Sequence, residues 1–115
     1  MRLLIADDNA DMRALLRRVC ESIASETRDC ADGVQAVEAY GEFNPDWTIM
    51  DIGMPQMDGL AATRLIVAAH PGARIMVVTQ QRGFQYEQAA REAGAVAFMV
   101  KDDLPQLPQF LAANS

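Results

Sequence analysis

Short apolar runs and helix-like segments follow one another along the whole chain. Each apolar run is bounded by polar or turn-forming residues, as is typical of buried strands in a parallel sheet. Four clear runs lie at residues 3–6, 47–50, 74–79 and 97–100, and residues 27–31 are interpreted as a weak, short strand. The pattern therefore predicts five strands.

Segments with helical spacing of apolar residues separate these runs. The first segment has one apolar face, which is made by Met12, Leu15, Leu16, Val19 and Ile23. Asn9 or Asp11 is suited to cap its start. Further helices are predicted from residue 34 to near Gly41, from 60 to a turn at 70–72, from 85 to 93 and from 104 to 113. Pro105 and Pro108 should keep the last helix short. Strands that alternate with helices predict an α/β fold with a parallel sheet covered on both faces.

Composition narrows the class of protein. The length of 115 residues predicts a single domain over residues 1–115. A formal net charge of −6 argues against direct binding to nucleic acid, because that requires a basic face. No apolar run approaches the roughly 20 residues that span a bilayer, so no membrane segment is predicted. Cys20, Cys30 and His70 are too few for a structural zinc site. We expect two reduced thiols in a cytoplasmic protein.

Polar residues stand at the ends of four predicted strands. Asp7 and Asp8 follow the first strand, and Asp51 follows the third. Thr79 ends the fourth strand, and Lys101 follows the fifth. Such residues are also common in caps and turns, but ligands of open parallel sheets bind beyond the carboxyl ends of the strands. Three neighbouring carboxylates repel one another unless a cation lies between them, and Mg²⁺ prefers oxygen ligands. A carboxylate beside a lysine and a hydroxyl is suited to accept a phosphoryl group.

The segments around these residues resemble the receiver domains of response regulators. Residues 4–9 are similar to the acidic-pair opening of that family, and residues 45–59 are close to its phosphoacceptor segment. Residues 77–79 and 93–101 resemble its later landmarks, in the same order and at suitable spacing. The resemblance covers nearly the whole chain. It implies a flavodoxin-like, doubly wound sheet of five parallel strands in the order 2-1-3-4-5, with helices on both faces.

The resemblance also implies a metal site and a phosphoacceptor. Asp51 would accept the phosphoryl group. Mg²⁺ would be held by Asp8 directly, by Asp7 partly through water, by Asp51 itself and by the backbone carbonyl of Gly53. Pro55 would shape the loop that follows Asp51.

Three further residues would act on the phosphoryl group or respond to it. Lys101 would pair with the phosphoryl oxygens, and Thr79 would donate a hydrogen bond to one of them. Phe98 would be the switch aromatic, which turns inward when Thr79 moves toward the phosphoryl group. A fixed packing role for Phe98 is the alternative. The expected output surface comprises the fourth helix, the fifth strand and the last helix.

Two positions depart from the family pattern. Gln80 follows Thr79, where receivers usually have a small residue, and it could narrow access to the site or bond to the phosphoryl group. Asp102 follows Lys101, where many receivers have proline. Gly53 and Gln81 occupy positions that tune dephosphorylation in the family.

Three functions remain open from the sequence. The first is a signalling receiver, phosphorylated by a sensor histidine kinase or a histidine phosphotransfer protein and acting on a downstream protein or a missing output domain. The second is a phosphatase of the haloacid-dehalogenase type, but such an enzyme needs an acid where Gly53 stands. The third is a binding module that keeps the receiver fold and works without phosphorylation. The receiver is the main hypothesis, and the binding module is the alternative.

Overall fold

Five strands and five α-helices alternate over residues 1–114. The structure, a computed structural model, describes residues 1–114. The strands are β1 (Arg2–Ala6), β2 (Glu26–Cys30), β3 (Trp47–Met50), β4 (Ile75–Thr79) and β5 (Ala97–Val100). The helices are α1 (Ala10–Val19), α2 (Gly33–Phe43), α3 (Gly59–Ala69), α4 (Phe84–Ala93) and α5 (Leu107–Ala113), and a 3₁₀ helix (Lys101–Gln106) precedes α5. The strands form one parallel sheet in the order β2-β1-β3-β4-β5. This confirms the predicted fold and strand order.

Alternating residues of the central strands supply the cores on the two faces of the sheet. Leu3 and Ile5 face one side of the sheet, where they pack with Leu16 of α1 and with residues of the 3₁₀ helix and α5. Leu4 and Ala6 face the other side, where they pack against α2 and α3. Because both faces are buried, the central strands are mainly apolar instead of alternating with polar residues, and Thr48 of β3 is itself fully buried.

Side-chain caps start three of the helices. Asn9 accepts a hydrogen bond from the backbone N–H of Met12 at 3.0 Å at the start of α1. Asp32 caps α2 and Asp58 caps α3 in the same way, and each carboxylate accepts a hydrogen bond of 2.8 Å from the backbone N–H three residues later. Each cap satisfies one backbone donor that the first helical turn leaves unpaired. These caps fix where the chain turns from each strand into its helix.

The structure differs from the predicted bounds in two helices. Helix α2 does not end near Gly41 but continues to Phe43, which is buried, and Asn44 then ends it in the left-handed conformation with φ of 50°. Helix α1 ends at Val19, so Ile23 lies beyond it, although Ile23 still packs on the same core.

The last segment is divided in two. Its first part is the 3₁₀ helix, which contains Pro105, and α5 starts only at Leu107. Pro108 lies in the first turn of α5, where a backbone N–H has no partner within the helix, so the proline costs no intrahelical hydrogen bond. Both cysteines are free thiols and are buried, as expected.

Candidate functional site

The register of the sheet brings the predicted polar residues to one edge. Ala6 of β1 pairs with Met50 of β3, so the next residues, Asp7 and Asp51, follow neighbouring strands at the same level. A carboxylate oxygen of Asp7, one of Asp8 and one of Asp51 all lie within 4.8 Å of one another. Thr79 ends β4, and Lys101 follows β5 as the first residue of the 3₁₀ helix. The strand ends therefore converge as expected from the strand pattern.

Lys101 lies between two of the carboxylates. Its Nζ donates a hydrogen bond of 2.9 Å to Asp7 Oδ2 and lies 3.5 Å from Asp51 Oδ1. The side chain of Lys101 is 11% exposed and that of Asp7 is 1% exposed, so solvent screens this pair little. Burial lowers the pKa of Lys101, but its hydrogen bond to Asp7 and the nearby carboxylate charges outweigh burial and raise the pKa. Lys101 is therefore a cation at neutral pH.

The carboxylate of Asp51 has a raised pKa. Burial raises its pKa from the ordinary 3.8 to about 6, and the charges of Asp7 and Asp8 add to this while Lys101 opposes it. Burial disfavours the charged form of Asp51, and the excess of negative charge, one lysine facing three carboxylates, adds to this effect. A pKa perturbed by burial and like charge is typical of functional sites.

The donor set fits a hard divalent cation. Three carboxylates offer oxygen ligands within a small volume, and Mg²⁺ and Ca²⁺ bind through such oxygens. A cation there would also remove the repulsion that raises the pKa of Asp51. Asp8 is exposed, so one side of the cluster is open to solvent and to an incoming group.

A cavity of about 500 Å³ surrounds these groups. Gly53, from the loop between β3 and α3, lines it together with Thr79 and Gln80. Thr79 is buried, and its Oγ1 accepts a hydrogen bond of 3.2 Å from the backbone N–H of Gln81. Because a hydroxyl both accepts and donates, Thr79 can still donate a hydrogen bond into the cavity. Gln80 is exposed at its mouth.

Phe98 does not line this cavity. It is half-buried on β5 and packs with Val77, Ala90 and Ala95 on the α4 side of the sheet. It also lines a separate surface groove of about 560 Å³ with the exposed Phe84. The proposed switch role of Phe98 stays a prediction.

One residue that holds the site was missed from the sequence. Arg13, on the first turns of α1, donates a hydrogen bond of 2.7 Å from Nη1 to the backbone carbonyl of Asp7. The backbone N–H of Asn9 in turn bonds to Asp7 Oδ1 at 2.9 Å. Asp7 is thus held from its main chain and its side chain. The one feature of the sequence that could have indicated this role is that Arg13 stands shortly after the acidic pair.

Known proteins are similar to this chain in sequence and in fold. The family described as response regulator receiver domain matches residues 3–112. Chemotaxis protein CheY of Halobacterium salinarum is 37% identical over 100 residues, covering 87% of this chain and 83% of that protein. Protein-glutamate methylesterase/protein-glutamine glutaminase 4 of Myxococcus xanthus is 38% identical over 113 residues, covering 96% of this chain but only 32% of that protein. The structure of the CheX–CheY–BeF₃–Mg²⁺ complex from Borrelia burgdorferi is similar with a TM-score of 0.88 at 28% identity, covering 99% of this chain and 88% of that one.

The chain belongs to the response-regulator receiver family, whose members are signalling phosphoacceptors of two-component systems. The cluster of Asp7, Asp8 and Asp51 is consistent with the phosphorylation and Mg²⁺ site of such a domain. Over residues 1–114, no helix is both long enough and apolar enough to cross a membrane.

Proposed function

We propose that Asp51 accepts a phosphoryl group from a histidine kinase or a histidine phosphotransfer protein, and that this changes the binding of a partner protein. The observation that carries the proposal is the meeting of three carboxylates within 4.8 Å, with the lysine ammonium 2.9 Å from Asp7 and 3.5 Å from Asp51. The receiver, as opposed to a metabolic phosphatase, is favoured because Gly53 stands where the phosphatase needs an acid.

In the proposed reaction a carboxylate oxygen of Asp51 forms a bond to phosphorus. The bond from phosphorus to the donor nitrogen breaks at the same time, and the electron pair stays with the imidazole, which takes up a proton. The Lys101 ammonium would pair with a phosphoryl oxygen, and the Thr79 hydroxyl would donate a hydrogen bond to another. Bound Mg²⁺ would neutralise charge on the carboxylates and on the phosphoryl oxygens. Its proposed ligands are Asp7, Asp8, Asp51 and the carbonyl of Gly53.

The surface that changes is proposed to include Phe98. Thr79 and Phe98 stand on the neighbouring strands β4 and β5, so a movement of Thr79 toward the phosphoryl group can alter the packing of Phe98. Phosphorylation adds roughly −1.5 to −2 charges, which is enough to shift an existing two-state equilibrium. The partners of this surface are proteins.

The test is intact mass after incubation with acetyl phosphate and Mg²⁺. Wild type should gain one phosphoryl group, and Asp51→Asn should gain none. Asp46→Asn is a matched control, because Asp46 directly precedes β3 whereas Asp51 directly follows it. Wild type should not react when EDTA removes Mg²⁺. A wild type that binds Mg²⁺ yet gains no mass, from acetyl phosphate or from a phosphohistidine donor, would refute the proposal and favour the phosphorylation-independent binding module.

A further inference from the structure

The N-terminus of α2 touches the loop that carries Gly53. The backbone N–H of Gly33, the first residue of α2, donates a hydrogen bond of 2.9 Å to the carbonyl of Met57. Met57 belongs to the β3–α3 loop, which we define as residues 51–58. Gly33 is buried in this contact. Helix α2 therefore packs against the loop through main chain on both sides.

Only glycine fits this contact. A Cβ added to Gly33 would lie 2.2 Å from the carbonyl oxygen of Met57 and 2.8 Å from its carbonyl carbon. These two atoms are backbone, and the third obstructing atom, Met57 Cβ at 2.8 Å, does not move with the side-chain rotamer, so a rotamer change cannot relieve the overlap. Backbone conformation does not call for glycine here, because the described glycines with positive φ are Gly83 and Gly94. The need for glycine at position 33 comes from the close approach alone.

Among the described residues, other backbone hydrogen bonds hold the loop both within it and near its ends. Within the loop, the N–H of Met54 bonds to the carbonyl of Ile52 at 3.2 Å, and the N–H of Met57 bonds to the carbonyl of Pro55 at 2.7 Å. At the start, the N–H of Asp51 bonds to the carbonyl of Ala6 at 2.9 Å. At the end, the N–H of Gly59 bonds to the carbonyl of Ile52 at 2.9 Å. Gly53 lies between these points and is exposed, and a Cβ added there would meet nothing within 4 Å. The bond from Gly33 to Met57 is thus an outside support for the loop.

We infer that Gly33 is a positioning residue for the metal site: its contact with Met57 sets the β3–α3 loop so that the Gly53 carbonyl can join the aspartates around Mg²⁺. The inference rests on the proposed function, because it assigns the Gly53 carbonyl to the metal. A substitution at Gly33 pushes the Met57 end of the loop away from α2 and moves the Gly53 carbonyl. Asp7 and Asp8, which follow β1, keep their places, and so does Asp51 at the start of the loop, because its N–H bonds to the carbonyl of Ala6. Loss of a group that hydrogen-bonds directly to a metal ligand typically costs about 10- to 100-fold in metal affinity or activity, and we expect the lower end of this range for Gly33, because it supports the ligand through Met57.

The experiment compares three glycine variants by calorimetric titration with Mg²⁺. Gly33→Ala should raise the dissociation constant about tenfold and raise the Mg²⁺ concentration for half-maximal phosphorylation by the same factor. Gly41→Ala lies in the same helix with nothing within 4 Å of the new Cβ, so its affinity should stay within about twofold of wild type. Gly94→Ala is the destabilised control: it is strained, with φ of 107° and Val67 at 2.9 Å from the new Cβ, but it lies at the end of α4. Its Mg²⁺ affinity should also stay near that of wild type.

Unchanged affinity in a folded Gly33→Ala protein would overturn the inference, and so would an equal loss of affinity in Gly94→Ala. The wild type provides a second test that does not depend on the variant folding. Because coupling between two equilibria is reciprocal, Mg²⁺ must strengthen the bond from Gly33 to Met57 if that bond favours Mg²⁺. Amide hydrogen exchange at Gly33 should therefore slow when Mg²⁺ is added, whereas an unchanged rate would overturn the inference. A wild type that binds Mg²⁺ but gains no phosphoryl group refutes the proposed function separately, and the titration still decides the role of Gly33.

Discussion

Replacing Asp51 by asparagine should stabilise the protein in the absence of Mg²⁺. Burial, reinforced by Asp7 and Asp8, raises the pKa of Asp51 from 3.8 to about 6 in the folded state. In the unfolded chain the pKa returns to its ordinary value. The folded protein therefore binds more protons than the unfolded chain between about pH 4 and 6, and its free energy of unfolding falls as the pH rises through this window. Above about pH 6 the loss is complete.

The size of the effect follows from the same pKa. One pKa unit corresponds to about 1.4 kcal/mol, so the rise from 3.8 to about 6 amounts to about 3 kcal/mol at neutral pH. The side chain of Asp51 is only 10% exposed, so solvent screening reduces this figure little. The asparagine side chain has nearly the same shape and no charge, so the free energy of unfolding of the Asp51→Asn variant does not fall in this pH window. It should be more stable than wild type by up to about 3 kcal/mol at pH 7.5 and about equal to it near pH 4.

Urea unfolding in EDTA, at a series of pH values from about 4 to 7.5, measures this difference. Trp47 is the only tryptophan and is buried, so its fluorescence reports unfolding. Mg²⁺ should narrow the gap at the upper end of the series, because it binds the folded wild type more tightly than the variant. A gap that is the same at every pH, or a variant less stable than wild type above neutral pH, would refute the charge argument.

Two further substitutions test other parts of the site. Lys101→Met should lower the free energy of unfolding by roughly 3 kcal/mol in EDTA just above neutral pH, because it leaves the nearly buried Asp7 and Asp51 without their cation. Urea unfolding with and without Mg²⁺ measures this loss. A loss of stability that Mg²⁺ does not reduce would contradict the prediction. Asn9→Ala should lower the free energy of unfolding by about 1 kcal/mol through loss of the cap on α1, and Asn9→Ser, which keeps a capping oxygen, should recover most of it in the same assay.

Local patterns predicted most of the fold because the sheet is buried on both faces. In a domain of this size, an apolar run of four or five residues between two helices is best buried as a strand of the central sheet. The predicted helix ends were wrong where tertiary packing determines the end of the helix. Helix α2 passes through Gly41 because Phe43 reaches the core, a gain that exceeds the small helix preference lost at one glycine. The division of the last segment at Leu107 was missed because a 3₁₀ turn and an α-turn have a similar apolar pattern over so short a stretch.

The site was predictable to the extent that it depends on strand ends. Parallel strands place their carboxyl ends at one edge whatever the details of packing, so Asp7, Asp51 and Lys101 could be grouped from the order of residues along the chain. Arg13 and Gly33 could not be assigned to the site from the sequence, because their roles depend on how closely a helix approaches a neighbouring loop or strand end. The 2.2 Å approach of a Cβ at Gly33 to Met57 depends on how deeply α2 packs against the loop, and no spacing along the chain encodes that depth. The residues that carry charge are therefore found from local order, while those that hold the backbone of the site become visible only when the helices are packed.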